Sequence, residues 1–215
     1  MSLQFDNKAR CILVSGCSGS GKSSYVVKYL LNAKFTCVFI FDPRGEYAAR
    51  FKRRAACIPA ELAALAQSGL VIFDPHTMYP GGAATNFQKA FEDFCDFTFS
   101  MSGLMGGQKI LFVDEMWRHC SPNKIPLALA TIVQDGRKNG VGLITSTQRA
   151  NRLNEAILTE CTEGVYFRMK GGNARDSLME IDDSFPYDEV LTLPDMHFIA
   201  HDLNTGGELR GVVKL

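Results

Sequence analysis

The sequence predicts an α/β fold: a mainly parallel sheet with helices on both faces and a C-terminal antiparallel hairpin. Two observations carry this. Short, β-branched apolar runs alternate with helical stretches as far as Thr145, the pattern of crossover connections in a sheet covered on both sides. Beyond that, two strand-like runs are separated only by Asn204-Thr205-Gly206-Gly207, a hairpin loop.

In chain order, Cys11–Val14 reads as a buried strand, Ser23–Asn32 as a helix and Thr36–Phe41 as a second strand. Tyr47–Arg54 and Ala60–Gln67 read as helices, with Leu70–Phe73 the third strand. Asn86–Met101 is helical in pattern despite its many phenylalanines. Lys109–Val113 is the fourth strand, Ile125–Lys138 a helix and Val141–Thr145 the fifth strand. Gly164–Met169, His197–Asp202 and Glu208–Leu215 complete the strands. No internal repeat, low-complexity linker or second domain interrupts the series.

The composition is that of an ordinary globular chain, 46% hydrophobic and 21% charged over 215 residues. Formal net charge is zero, so any contact with nucleic acid must come from local patches rather than bulk electrostatics. No run of about 18 apolar residues predicts a membrane span, and the first ten residues lack a signal-peptide pattern. Seven scattered cysteines include no Cys-x-x-Cys pair, which argues against zinc and for a reducing, intracellular setting.

Gly16, Gly21, Lys22 and Ser23 fit G-x-x-x-x-G-K-[ST], with an apolar strand before and a helical stretch after. Glycines let such a loop curl so that its backbone N–H groups point at phosphate oxygens, and the following helix adds its positive end. Gly16, Ser18, Gly19, Ser20, Gly21, Lys22, Ser23 and Ser24 are the predicted nucleotide-binding residues. Lys22 would reach the β- and γ-phosphates of ATP, and Ser23 would ligate Mg²⁺. The bland alternative is a chance Gly/Ser-rich turn, against which motif and context agree.

Ile110–Glu115 runs four apolar residues into two carboxylates at a strand's C-terminal end, where ligands of open parallel sheets sit. Asp114 can hold Mg²⁺ and Glu115 can polarise an attacking water; the competing reading is a solvated strand end. Val141–Arg149 is another apolar run, ending in Ser146, Thr147, Gln148 and Arg149. In a RecA-like sheet this strand neighbours the cradle strand, so Gln148 can sense the γ-phosphate or the lytic water. The plainer reading is a polar strand exit. Arg137, where a helix gives way to a loop, can stabilise transition-state charge in a neighbouring subunit, or simply face the helix dipole.

With these residues in hand, the chain resembles the FtsK–HerA superfamily of DNA-pumping ATPases over nearly its whole length. The cradle and the Val113-Asp114-Glu115 triplet are generic to P-loop enzymes. The specific stretch is 136–158, GRKNGVGLITSTQRANRLNEAIL, followed by VYFRM at 165–169. FDPRGEY at 41–47 and the closing hairpin from Leu193 are also similar to that family. The resemblance implies one P-loop ATPase domain over 1–215 and a hexameric ring, with Arg137 the trans-acting arginine and Gln148 the sensor. It further implies that Asp42 and Glu46 are acidic positions near the site, although Glu46 can equally cap the Tyr47–Arg54 helix, and that Arg168 serves nucleotide or subunit contact.

The departures narrow the expectation. The cradle begins at residue 16, without the small β-barrel with which HerA proteins usually begin, and neither the membrane segments nor the winged helix of FtsK proteins is expected. A chain of this kind is similar to the genome-packaging ATPases of tailless icosahedral, membrane-containing double-stranded DNA viruses. That implies double-stranded DNA and a capsid or portal component as partners, in the host cytoplasm or at a capsid vertex. The alternatives are a cellular HerA-like ATPase of repair or defence, a filamentous-phage assembly ATPase, and a P-loop phosphotransferase. DNA would meet the loop carrying Trp117, Arg118, His119 and Lys124, the loop 170–175, or the basic cluster Arg50, Lys52, Arg53 and Arg54; a charge run of this kind more often just keeps a surface solvated.

Overall fold

Eight strands lie in one sheet in the order β3-β2-β4-β5-β1-β6-β7-β8 in a computed structural model that describes residues 10–79, 84–170, 176, 178–179 and 185–214. The strands are β1 (Cys11–Ser15), β2 (Cys37–Phe41), β3 (Leu70–Phe73), β4 (Lys109–Asp114), β5 (Val141–Thr147), β6 (Glu163–Phe167), β7 (His197–Asp202) and β8 (Glu208–Val212). β1 pairs with β6 and β2 with β3 in parallel; β6–β7 and β7–β8 are antiparallel. β5 lies beside the cradle strand β1, as expected. Every residue of β1, β2 and β5 is buried, the signature of strands covered on both faces. β8 is almost wholly exposed, and charged Glu208 and Arg210 discourage further strands from pairing with it.

The chain divides into two compact units. One comprises residues up to Arg10, Ala33–Phe112 and Leu127–Leu143; the other comprises Cys11–Asn32, Val113–Pro126 and Ile144–Leu215.

In the first unit, helix α5 (Ala84–Leu104) carries Phe87, Phe91 and Phe94 at the i, i+4, i+7 spacing of one helical face. Phe91 meets Phe41 of β2 edge-on at 5.0 Å, and Phe94 stacks on Phe73 of β3 at 4.8 Å. The phenylalanines that weakened the helical pattern in sequence are therefore its core face. Phe41 and Phe73 are each followed by Asp-Pro. After β3, Asp74 caps α4 (Pro75–Met78) by accepting from His76 N–H at 2.9 Å. After β2, the buried Asp42 accepts from the N–H groups of Glu46, Tyr47 and Ala48 at 3.0, 2.9 and 2.8 Å, capping α2 (Glu46–Phe51) across the Gly45 turn. Burial pushes the Asp42 carboxyl above the usual range and these three N–H groups oppose that. Glu46, the alternative cap in the sequence reading, pairs instead with Arg50 at 2.7 Å. The helix expected to reach Arg54 stops at Phe51, where Lys52 turns left-handed at φ 51°. Helix α3 (Pro59–Gln67) follows. The helix expected over 125–138 is α6 (Leu127–Asp135) plus a 3-10 turn, Gly136–Asn139.

In the second unit, α1 (Lys22–Asn32) lays Tyr25 against Phe198 and Phe167 at 4.9 and 5.8 Å. Tyr166, next to Phe167 on β6, points to the opposite face and meets Phe185 at 4.7 Å. Helix α7 (Glu155–Thr159) is capped by Asn154, and α8 (Tyr187–Thr192) precedes β7. Among the described residues, no helix is long and apolar enough to cross a membrane.

Asp42→Ala strips three helix N–H groups of their acceptor. We expect a loss of about 2 kcal/mol in urea unfolding; a change below about 0.5 kcal/mol would mean that water replaces the cap fully.

Candidate functional site

The loop 16–21 leaves β1 and enters α1 at Lys22, and three backbone hydrogen bonds tie it down. Gly16 N–H donates to Thr147 O at the end of β5 (3.3 Å), and Cys17 N–H donates to Arg168 O just past β6 (2.8 Å). Ser20 O accepts from Met196 N–H, immediately before β7 (2.9 Å). The close approach accounts for two residue choices. A side chain at Gly16 would bring its Cβ to 2.6 Å from Phe167 Cβ. Gly21, at φ +115°, sits where a Cβ would meet Met196 Sδ at 2.9 Å, and Gly19 adopts φ +76°. Met196 itself is left-handed at φ 66°, a costly state for a non-glycine residue. It is held there by the Ser20 bond and by Val213 N–H donating to its carbonyl at 2.9 Å.

Lys22 is only 7% exposed. Its ammonium donates to Gly16 O at 2.9 Å and Cys17 O at 3.0 Å, so it folds back over the loop. Burial lowers its pKa, while the charges of Glu115 and Asp114 act in the opposite sense. Ser23 and Ser24 occupy the first turn of α1, half-buried; Ser20 is buried and Ser18 exposed.

Across the sheet, Asp114 ends β4 and accepts from the Ser146 hydroxyl of β5. Glu115 follows in a left-handed turn (φ 50°, ψ 50°) that swings its carboxylate back, 6% exposed. Its Oε1 accepts from Gln148 Nε2 at 2.8 Å. Its Oε2 accepts from Trp117 Nε1 at 2.5 Å and from Gln148 N–H at 3.4 Å. Both carboxylate oxygens thus engage N–H donors, and a strained backbone conformation is retained at the acidic position.

The second unit therefore brings together the cradle, Asp114, Glu115 and Gln148. Arg137 lies in the first unit, exposed on the 3-10 turn after α6, and Asp42 in that unit serves as a helix cap. Arg168 forms an ion pair with Asp195 at 2.6 Å while its carbonyl holds the cradle. Lys124 closes a tight, exposed turn with Ser121, fixed by Asn154 Nδ2 donating to Pro122 O at 2.7 Å. In the basic cluster, Arg50 and Arg54 are paired with Glu46 and Glu61. Positions 171–175 of the other candidate loop lie outside the described residues. Sequence reasoning assigned no role to Ser146 and placed Trp117 in a candidate DNA loop without its bond to Glu115; the unique tryptophan two residues past the acidic pair was the available signal.

No protein-family model and no curated protein matches the chain. Solved structures do. The genome packaging NTPase B204 from Sulfolobus turreted icosahedral virus 2, in complex with sulfate, is 21% identical with a TM-score of 0.78, covering 98% of this chain and 98% of that one. VirB4 of Thermoanaerobacter pseudethanolicus is 12% identical with a TM-score of 0.70, covering 95% and 89%. The bacterial conjugative coupling protein TrwBdeltaN70 is 12% identical with a TM-score of 0.67, covering 98% and 86%. The chain has their fold, a RecA-like P-loop NTPase sheet with a C-terminal antiparallel hairpin.

Gly16→Ala forces a methyl group onto a β-carbon that cannot swing away. It should cost about 2 kcal/mol of stability and weaken nucleotide binding together. Thermal unfolding and nucleotide titration of the same variant check this; a wild-type melting temperature would show slack in the loop.

Proposed function

We propose that the chain is an ATP-driven double-stranded DNA translocase of FtsK–HerA type, acting as a genome-packaging motor. The observation that carries the reading is the Lys22 cradle in one unit with Asp114 and with a Glu115 carboxylate tied to Gln148. That combination suits hydrolysis of a phosphoanhydride with a sensor for its progress. The choice of DNA as the track is supported by a fold shared with a genome packaging NTPase and a conjugative coupling protein.

ATP with Mg²⁺ would supply the electrophilic phosphorus and its charge-neutralising metal. The donors fit such a group: a buried ammonium beside glycine backbone for phosphate, and oxygen atoms of Ser23 and Asp114 for the metal. Among the described residues, no set of three or more His, Cys, Asp or Glu side chains could hold a metal alone, which suits Mg²⁺, an ion that keeps water and phosphate oxygens as ligands. Lys22 would exchange the carbonyls of Gly16 and Cys17 for phosphate oxygens. Glu115 would orient water and take its proton, with Gln148 exchanging between that carboxylate and the reacting group. Ser146 fixes the Asp114 carboxylate. Arg137 would act on a neighbouring subunit's site within a homohexameric ring, whose heterologous interface closes by rotation. A capsid or portal component, and residence in a host cell or at a capsid vertex, follow from the packaging reading.

Turnover should rise with duplex DNA at low salt, equally for unrelated sequences of equal length, and the rise should shrink as salt increases. Steady-state ATPase rates against salt and DNA sequence test this. An active preparation indifferent to every duplex would point to a phosphotransferase.

Arg137→Ala should lose about 10³-fold in rate. Mixing it with Glu115→Gln subunits should restore some turnover, because a few interfaces then join an intact base to an intact arginine. Full activity of Arg137→Ala alone, or mixtures that never complement, would remove the trans role.

A further inference from the structure

Trp117 is the chain's single tryptophan, and it connects the acidic pair to a cluster of arginines. It sits half-buried in the 3-10 turn Met116–Arg118 that Glu115 opens. One edge of the indole donates to Glu115 Oε2. The guanidinium carbons of Arg149, Arg118 and Arg152 lie 4.8, 5.4 and 5.4 Å from its ring centre. These three cations come from two loops, one after β4 and one after β5, and all are exposed. Among the described residues none of them is paired with a carboxylate. Cation–π contact offsets part of their mutual repulsion and leaves a dense patch that, among the described residues, forms no ion pair.

We infer that this patch is a phosphate-backbone site for double-stranded DNA, and that Trp117 is the positioning residue through which its occupancy acts on Glu115. The identity of the polyanion rests on the motor reading above. Guanidinium groups match phosphate oxygens in a bidentate geometry, and backbone phosphates carry no sequence information, which suits translocation. The coupling follows from the Glu115 bonds. With Gln148 Nε2 on Oε1, and both Trp117 and the Gln148 N–H on Oε2, Oε2 has no site left to accept from water. Guanidiniums drawn to phosphate leave the indole face; the ring then shifts, and its N–H leaves Oε2. Glu115 becomes competent when DNA is bound. A patch that merely kept the surface solvated would have no link to the carboxylate.

Emission of Trp117 reads the site directly in the full wild-type chain. Titration at low salt with a mixed-sequence duplex should change the emission, and the change should fade with salt. Inorganic phosphate at equal phosphate concentration, and AMPPCP with Mg²⁺, should each give little change. In Arg149→Ala/Arg152→Ala, half-saturation should move to about tenfold higher duplex concentration. Trp117→Phe keeps an aromatic ring but loses the N–H. Its DNA-free turnover should rise about tenfold, and its ratio of DNA-stimulated to DNA-free turnover should fall toward one. A purely structural tryptophan would lower both rates instead, and that result overturns the coupling. So do wild-type rates in Trp117→Phe. An emission indifferent to duplex while duplex stimulates turnover overturns the site and leaves the motor reading standing; indifference of both removes the two together. A full emission change with phosphate or AMPPCP alone would assign the patch to free or nucleotide phosphate and overturn the DNA assignment.

Discussion

Gly16 can approach Phe167 only because it has no side chain, and the geometry of the site follows from that approach. With the loop pressed onto β6, its N–H and C=O groups reach the ends of β5, β6 and the segment before β7. The loop is therefore hydrogen-bonded to strand ends although it belongs to no strand. In the nucleotide-binding reading proposed above, a loop tied down in this way would lower the ordering cost of binding. The left-handed Met196 belongs to the same arrangement: its strain is sustained by two backbone bonds, one to the loop and one to the residue just beyond β8.

The Glu115 carboxylate poses the opposite problem, an excess of partners. Donors from β5's exit and from its own turn take up both oxygens, and the left-handed backbone aims it at them. In the proposed reading of Glu115 as general base, the two donors on Oε2 leave that oxygen no site for water. In the motor proposed above this restraint has a use: hydrolysis without a track is wasted. The arginines around Trp117 offer a route by which the track itself lifts the restraint.

The loop between β1 and α1 was legible in sequence because its signal is local: the spacing of Gly16, Gly21 and Lys22 specifies one strand–loop–helix. β3 and β7 match their expected bounds because each run is bracketed by clear breakers. β5 extends to Thr147, beyond its expected end, because Ser146 and Thr147 are buried polar residues that an apolar-run criterion cannot follow. α6 starts after Pro126 and ends at Asp135, since Gly136 must pass close to the Val141 carbonyl, where a Cβ would lie at 2.5 Å. The capping role of Asp42 was not legible for a related reason. A carboxylate beside a phosphate loop in sequence pattern is indistinguishable from one that folds back on the next helix. The Trp117–Glu115 bond depends on a positive φ at glutamate, which no residue pattern announces.

The cysteines divide between buried positions and the loop after β1. Cys11, Cys37, Cys57, Cys95, Cys120 and Cys161 are buried, and burial pushes the Cys37 thiol up to about 12. Thiols so held are poor nucleophiles. Cys17 alone is half-buried, and it stands in the cradle with its N–H on β6's exit and its carbonyl on Lys22. Alkylating reagents will therefore discriminate by location: the loop after β1 is the chain's natural attachment point for a chemical label, with no engineering of the remaining cysteines.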